Sequence, residues 1–492
     1  MDPLNILIII GLLHCALFFL DTFFKSCSHY PYLYFLQNTG LQIEAFKIRW
    51  FTTAFNRIIQ KWGTWHPKLL QCWFTVGSWF SLGLLPLATY VIIKASIDLW
   101  QTDGDGVVSQ QTLVLEPMVP GLNLPLSDLG YYAITLVTCS IVHEVGHAIA
   151  AVREDVHISG LGVLLVLVLP IAYVHLNTEQ LQALPPKRQL RILCAGIWHN
   201  VVLTVGAAVL LALLPLLFYP AFDSGSGVAV QSIDMGSPVL GVTGLRSGDR
   251  VVAVNQCEVL DSDSWYTCIV QAVKQPSPGY CISAELVKEH DESIPVRQLA
   301  AGAVECCGPR SSDHLCFEYL EGEEGTLELP QHSCLPGRIV VEAAELMCGA
   351  ARDCTQGLHC MVPSLENNTK LVRIERLDAK VVLFLGHPAE VYRTVVVSDY
   401  VPLYFFISSS IPEVVTRLCK YITIFSAGLA VINVIPCFGL DGQYIVRALA
   451  DFLLGKRIPH KSVRHAIALF MTIAGTFFLF LNCASVIVTK LF

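Results

Sequence analysis

The chain has 492 residues, 53% of them hydrophobic and only 15% charged, with a mean hydropathy of +0.55. So little charge over such a length excludes an ordinary soluble globular protein and points to a polytopic membrane protein. The net charge of −8 offers no electrostatic reason for a nucleic-acid partner.

A bilayer crossing needs roughly 20 apolar residues. Runs at 4–24, 69–93, 131–152, 193–219, 418–440 and 466–488 meet that length and predict six spans. The first has no basic leader and no small-residue cleavage site, and reads as a retained anchor. The following loop, 25–68, carries six basic residues against one acid, Glu44, which favours the cytosol. One span or a tight hairpin over 69–97 would place the N-terminus on opposite sides, and both stay open. The 98–129 loop has no Lys or Arg and is expected in the lumen.

The third run contains "LVTCSIVHEVGHAIAAVRE". His143 and His147 are four residues apart, so on a helix they share one face and can aim their imidazoles at one metal ion. Glu144 stands beside the first of them. This is the H-E-x-x-H arrangement of zinc metalloproteases, in which the glutamate is the general base for water. At about 1.5 Å per residue the helix is roughly 33 Å long, with the histidines roughly 18 to 24 Å from its lumenal end. Ionisable groups at that depth mark function. No basic partner for Glu144 is visible in the neighbouring spans, which favours a metal over a structural ion pair.

The apolar run 158–176 is flanked by cytosolic signals, Arg153 before it and Lys187, Arg188 and Arg191 after it. It cannot be a full span. It is expected to dip in and return, with Gly160, Gly162 and Pro170 marking bends, and to be covered by protein at that depth.

Residues 222–411 form the one sizeable hydrophilic block. It holds ten cysteines (257, 268, 281, 306, 307, 316, 334, 348, 354 and 360) and a glycosylation sequon at Asn367. Both signals point to an oxidising lumen and to disulfides whose pairing the sequence leaves open. "GVAVQSIDMGSPV", "GLRSGDRVVAVNQCEV" and "WYTCIVQAV" read as strand, Gly-Asp turn, strand and helix, an order similar to a PDZ domain, which binds peptides at a sheet edge. The Cys-rich part, about 281–360, reads as an insertion, and 371–388 as the return of the sheet.

Two histidines need a third ligand. Asp441 in "NVIPCFGLDGQY" sits in a break between Pro436 and Gly442. It can face inward as that ligand, or cap the helix that follows. Spacing alone does not choose.

"HEVGH" in one span and "NxxPxxxLDG" in a later one, with "CAGIWHN" at 194–200 and "VPGLNLP" at 119–125, resemble the site-2 protease family of intramembrane zinc metalloproteases over nearly the whole chain. The serine-rich tract of mammalian members is missing from the 98–129 loop, a low-complexity feature without consequence for chemistry. The resemblance implies one zinc ion held by His143, His147 and Asp441, with Glu144 catalytic. Asn200 and Asn433 match membrane-embedded asparagines of the family. They would position a substrate strand or stabilise an oxyanion, or else make helix–helix hydrogen bonds. His175 and His199 are expected to pack. The family's substrates are membrane-anchored transcription factors, among them the sterol regulatory element-binding proteins and a stress-activated factor of the endoplasmic reticulum. A first lumenal cut by site-1 protease precedes cleavage in the membrane, which frees the cytosolic part for the nucleus.

The expected architecture is therefore a polytopic α-helical membrane protein of the Golgi or endoplasmic reticulum with a lumenal, Cys-rich, β-containing, PDZ-like domain. Anchor spans and loops occupy 1–130 and the first part of the core 131–221. The lumenal domain follows at 222–415, and the second part of the core at 416–492. Partners would be pre-cut single-pass substrates and membrane lipid. A metal transporter and an inactive scaffold are the other classes compatible with intramembrane His and Asp.

Overall fold

The computed structural model describes residues 3–102 and 125–491, except 168, 242, 299–302, 310–312, 321–328, 356, 367 and 378. Asn367 and nearly all of "VPGLNLP" therefore lie outside the described residues. The chain divides into two units, Met1–Ala212 with Thr416–Phe492, and Leu213–Val415.

Six segments among the described residues are long and apolar enough to cross a membrane. They contain helices α1 (Pro3–Ser26), α2 (Pro67–Thr102), α3 (Leu129–Arg153), α4 (Pro186–Leu193) with α5 (Ala195–Phe218), α6 (Ile411–Val434) and α8 (Lys461–Leu491). A shorter amphipathic helix, α7 (Asp441–Leu454), precedes the last. This is a multi-pass membrane protein.

Helix α2 runs unbroken through Pro86, so 69–97 is one crossing and not a hairpin. Helix α6 begins at Ile411, seven residues earlier than the apolar run suggested, and stops at Val434. The early start carries Glu413 and Arg417 into the helix. Arg417 pairs at 3.1 Å with Asp128, just before α3, and lies over the Tyr131 ring. Tyr421 donates to the same carboxylate at 2.8 Å. The Arg417 charge is satisfied by a neighbouring element.

The buried residues of α3 include Thr135, Cys139, His143, Gly146, His147 and Ala150, a three-to-four-residue spacing that marks one face. That face packs with Ile158, Ile192 and Ala195 in one core cluster. A second cluster joins α2, α4, α5, α6, α7 and α8 through Ala88, Leu190, Ile197, Ala430, Ala448 and Ala468. The small side chains let the helices approach closely, which is what drives association in lipid.

The first unit also contains an antiparallel sheet in the order β1 (Leu41–Glu44), β2 (Lys47–Thr52), β3 (Ile158–Val166), β4 (Leu169–Leu176). The apolar 158–176 run is thus a hairpin, with Leu164 opposite Ile171. Its turn is at Leu167, which has positive φ, and not at the glycines or Pro170. Gly160 and Gly162 lie inside β3, where a Cβ would strike Phe51 and the carbonyls of Thr52 and Trp50. They are glycine because β2 comes close, a neighbour supplied by a segment that reads locally as a loop. His14 of α1 hydrogen-bonds the Leu167 carbonyl at 2.9 Å.

The second unit is Cys-rich and β-rich. One sheet has five strands, in the order 332–336, 314–319, 358–363, 279–283 and 347–348, around Tyr280, Phe317, Leu335 and Met361. The other has six, with a spine of 382–386, 370–376, 250–254, 228–233 and 395–398, around Val228, Val251, Trp265, Val372 and Phe384. All ten cysteines are paired: Cys257–Cys268, Cys281–Cys354, Cys306–Cys316, Cys307–Cys334 and Cys348–Cys360.

Candidate metal centre

Two elements distant in sequence deliver three ligand atoms. Helix α3 carries His143 and His147, both 6% exposed, and α7 carries Asp441 at its first residue. Asp441 Oδ2 lies 2.9 Å from His143 Nε2 and 3.1 Å from His147 Nε2, and the two nitrogens are 3.1 Å apart. Asp441 therefore does not cap its helix. The capping position is Leu440, and the carboxylate turns to the histidines.

The break before α7 makes this possible. Helix α6 ends at Val434, and the chain folds back so tightly that a Cβ on Gly442 would overlap the Ile435 carbonyl. Only glycine follows Asp441 without displacing it.

The far side of each imidazole is tied down. His147 Nδ1 donates to the Ile192 carbonyl, 2.8 Å away at the end of α4. His143 Nδ1 lies 3.2 Å from the side-chain amide of Asn200, which is fully buried on α5 and has one amide atom unpartnered. Amide O and N are assigned from their partners. With the oxygen toward His143 it accepts from Nδ1–H, and the amide nitrogen takes the position without a partner. Both histidines then hold the same tautomer, with the Nε2 lone pairs free.

This arrangement needs a cation. Two imidazole lone pairs and a carboxylate oxygen, all about 3 Å apart, repel one another with nothing positive between them. Donor atoms on a tetrahedral zinc, at roughly 2.0–2.1 Å from the metal, are about 3.3 Å apart, close to the observed triangle. Space is kept open beside it by Gly196, the third residue of "CAGIWHN". A Cβ there would overlap Nε2 of both histidines. The only other three-donor group among the described residues, Cys281, Cys348 and Cys354, is consumed in disulfides.

Glu144 lines a cavity of about 390 Å³ together with His147 and Asp441. Its lining also includes His175, Gln182, Arg447, Lys461 and His465, of which Gln182, Arg447 and Lys461 are exposed. Glu144 has no ion pair among the described residues. Its Oε2 accepts from the backbone N–H of Val174 on β4 at 2.9 Å, and one turn earlier Ser140 accepts from Ala172 N–H at 2.8 Å. The outer edge of the hairpin is thereby fastened to α3 at the level of the site. Glutamate, metal triad and water-sized space thus meet in one place, which suits hydrolysis.

Asn433 is not brought into this network, since its half-buried side chain makes no hydrogen bond to the described residues. His199 packs against Trp73 and Phe74 and bonds the Ala195 carbonyl at 2.8 Å. A second group escaped sequence reading. Glu154, 4% exposed after α3, pairs with Arg188 and with Arg191, the latter at 3.0 Å. These ion pairs hold α4, and with it the carbonyl that orients His147. Arg188 and Arg191 had been read as side markers. Their three-residue spacing on a short helix beside a buried acid was the available signal.

A buried triad of this kind beside a glutamate, within a bundle of apolar helices, fits a membrane metalloprotease. The sequence model described as "Peptidase family M50" matches residues 131–479, which takes in His143, Glu144, His147 and Asp441. The chain belongs to that family, the site-2 protease family. A curated relative from Arabidopsis thaliana, described as a membrane-bound transcription factor site-2 protease homolog, is 24% identical over 440 residues, 80% of this chain and 83% of its own.

Proposed function

We propose that the chain is an intramembrane zinc metalloprotease that cleaves membrane-anchored transcription factor precursors within a transmembrane segment. The observation that carries the reading is the convergence of His143, His147 and Asp441 on one point beside Glu144, inside apolar helices. A bound zinc ion would supply Lewis acidity toward water and a peptide carbonyl.

The chain's own residues do the rest. Glu144 takes a proton from water in the cavity and returns it to the leaving amine. Val174 N–H fixes the carboxylate before reaction. Asn200 is a positioning residue for His143, and the Ile192 carbonyl does the same for His147. The exposed lining residues Arg447 and Lys461 give water a route into the cavity. A substrate helix must unwind to reach the site, and an unwound segment that lies along β4 must displace the bonds of Ala172 and Val174 N–H to Ser140 and Glu144.

The finer reading is that substrates include the sterol regulatory element-binding proteins and a stress-activated factor of the endoplasmic reticulum, already cut by site-1 protease. It rests on the resemblance to the family, and the Arabidopsis relative's description goes only as far as membrane-bound transcription factors. The ten paired cysteines support a lumenal setting for the second unit, in the Golgi or endoplasmic reticulum. We read its six-stranded sheet as PDZ-like and as a filter against substrates that keep their lumenal bulk. Deleting 228–390 should then permit cleavage of untrimmed substrate, and unchanged selectivity in a folded enzyme would remove the filter.

The deciding experiment compares purified wild-type and Glu144→Gln protein on a trimmed single-pass substrate, with zinc measured in both. Equal zinc, with cleavage only by wild type, is the expected result. Zinc in both and cleavage by neither would favour a metal transporter or an inactive scaffold.

A further inference from the structure

The second unit carries an apolar feature that the chemistry above does not use. Between the short strand Val401–Pro402 and the start of α6 the chain reads Leu403, Tyr404, Phe405, Phe406, Ile407. No charged residue occurs from Tyr400 to Pro412. Leu403, Tyr404, Phe405 and Phe406 are all exposed, Phe405 completely and Phe406 at 73%.

The backbone beneath them is braced. Val401 and Pro402 pair with Asp223 and Phe222, and Leu403 N–H donates to the Ala221 carbonyl at 3.0 Å. Ile407 N–H donates to the Tyr404 carbonyl at 3.0 Å and closes a turn with the two phenylalanines at its corners. Farther on, the carbonyl of buried Ser409 accepts from Gln231 and Ser398, each at 3.4 Å. The rings touch chiefly one another, Phe406 lying 5.6 Å from both Tyr404 and Phe405. A braced turn that holds bare aromatic rings outward is unfavourable in water and calls for an apolar cover.

Its place along the chain identifies the cover. The turn is stitched to residues 221–223, immediately after α5 ends at Phe218, and α6 begins at Ile411. It therefore stands where one membrane-spanning segment leaves and another enters. Leu213, Leu216, Leu217 and Tyr219 before residues 221–223 in the chain, and Ile411 and Val414 after the turn, are exposed and apolar as well. That level is the bilayer interface, where aromatic side chains collect. With no charge in the turn, an anionic headgroup has nothing to pair with, and the attraction is to the acyl boundary itself.

We infer that residues 403–406 form a bilayer-inserted foot. Phe405 and Phe406 enter the headgroup–acyl boundary of the leaflet from which α5 emerges, and they hold the Cys-rich unit against the membrane surface.

The test uses the full chain in phosphatidylcholine nanodiscs, with exposed Cys15, Cys27 and Cys72 replaced by serine. Nitroxide labels are placed at Phe405→Cys and at two references. Met235→Cys in the same unit is 97% exposed and reports water, and Ile424→Cys on the exposed face of α6 reports lipid. The expected result is that the label at 405 follows Ile424→Cys: open to oxygen, and at least fivefold less accessible to a water-soluble nickel chelate than the label at 235. Equal nickel access at 405 and 235 overturns the proposal. So does protection at 405 from both reagents, which would mean that a protein or a second copy covers the turn. If labelled Phe405→Cys does not yield monodisperse protein, Phe406→Cys is read in the same way.

Discussion

Gly196→Ala would place a methyl group where the two Nε2 atoms converge. Gly206 on the same helix has open space around it. We expect Gly196→Ala to lose zinc and Gly206→Ala to keep it, with both proteins folded, as read by metal analysis beside a melting curve. Substitutions at Asn200 separate the His143 contact seen in the structure from the oxyanion role raised by the resemblance. If it orients His143, Asn200→Leu should weaken zinc binding by about 10- to 100-fold, and Asn200→Asp, which keeps an acceptor, should recover much of it. An oxyanion role would instead lower kcat with zinc unchanged. At this scale His143, Glu144 and His147 were legible, because i,i+4 spacing on a helix survives any packing. The function of Asn200 was not, because its partner is 57 residues away.

The ion pairs of Glu154 with Arg188 and Arg191 link two elements. Glu154→Ala leaves Arg191, 7% exposed, as an unpaired buried charge. Loss of one partner of a buried pair costs about 3–5 kcal/mol. The expected outcome is a lower melting temperature together with weaker zinc retention, as α4 loosens under His147. Gly162→Val tests the sheet. A side chain there collides with Trp50 and Tyr173, so the variant should lose the folded hairpin and not merely turnover. Digestion of the hairpin by protease in detergent would show it. Spans were legible in the sequence to within a few residues except in α2 and α6, since twenty apolar residues have few other uses. The four-stranded sheet was not, because β2 earns its place only by pairing with β3, more than a hundred residues later.

At the level of the whole molecule the two units are stabilised differently. The first relies on helix packing and a metal site, and the second on two β cores and five disulfides. Removing a native disulfide costs about 2–5 kcal/mol in small domains. Mild reduction should therefore make residues 213–415 protease-sensitive while zinc content stays constant. A chelator should do the reverse, abolishing cleavage and sparing the disulfide-bonded unit, with activity restored by added zinc. If zinc is lost on reduction, the two units are not independent.

Composition and spacing by themselves determined the membrane class, the crossings, the H-E-x-x-H helix and a hydrophilic block rich in cysteine. These are properties of local chain segments, set by apolar length and helical period. Only the tertiary structure decided that Asp441 faces the histidines instead of capping α7, and that Asn200 and the Ile192 carbonyl set their tautomers. It also decided that Gly196 keeps the centre clear and which cysteines pair. Each of these joins segments far apart in sequence, and no local periodicity encodes which distant atom will arrive.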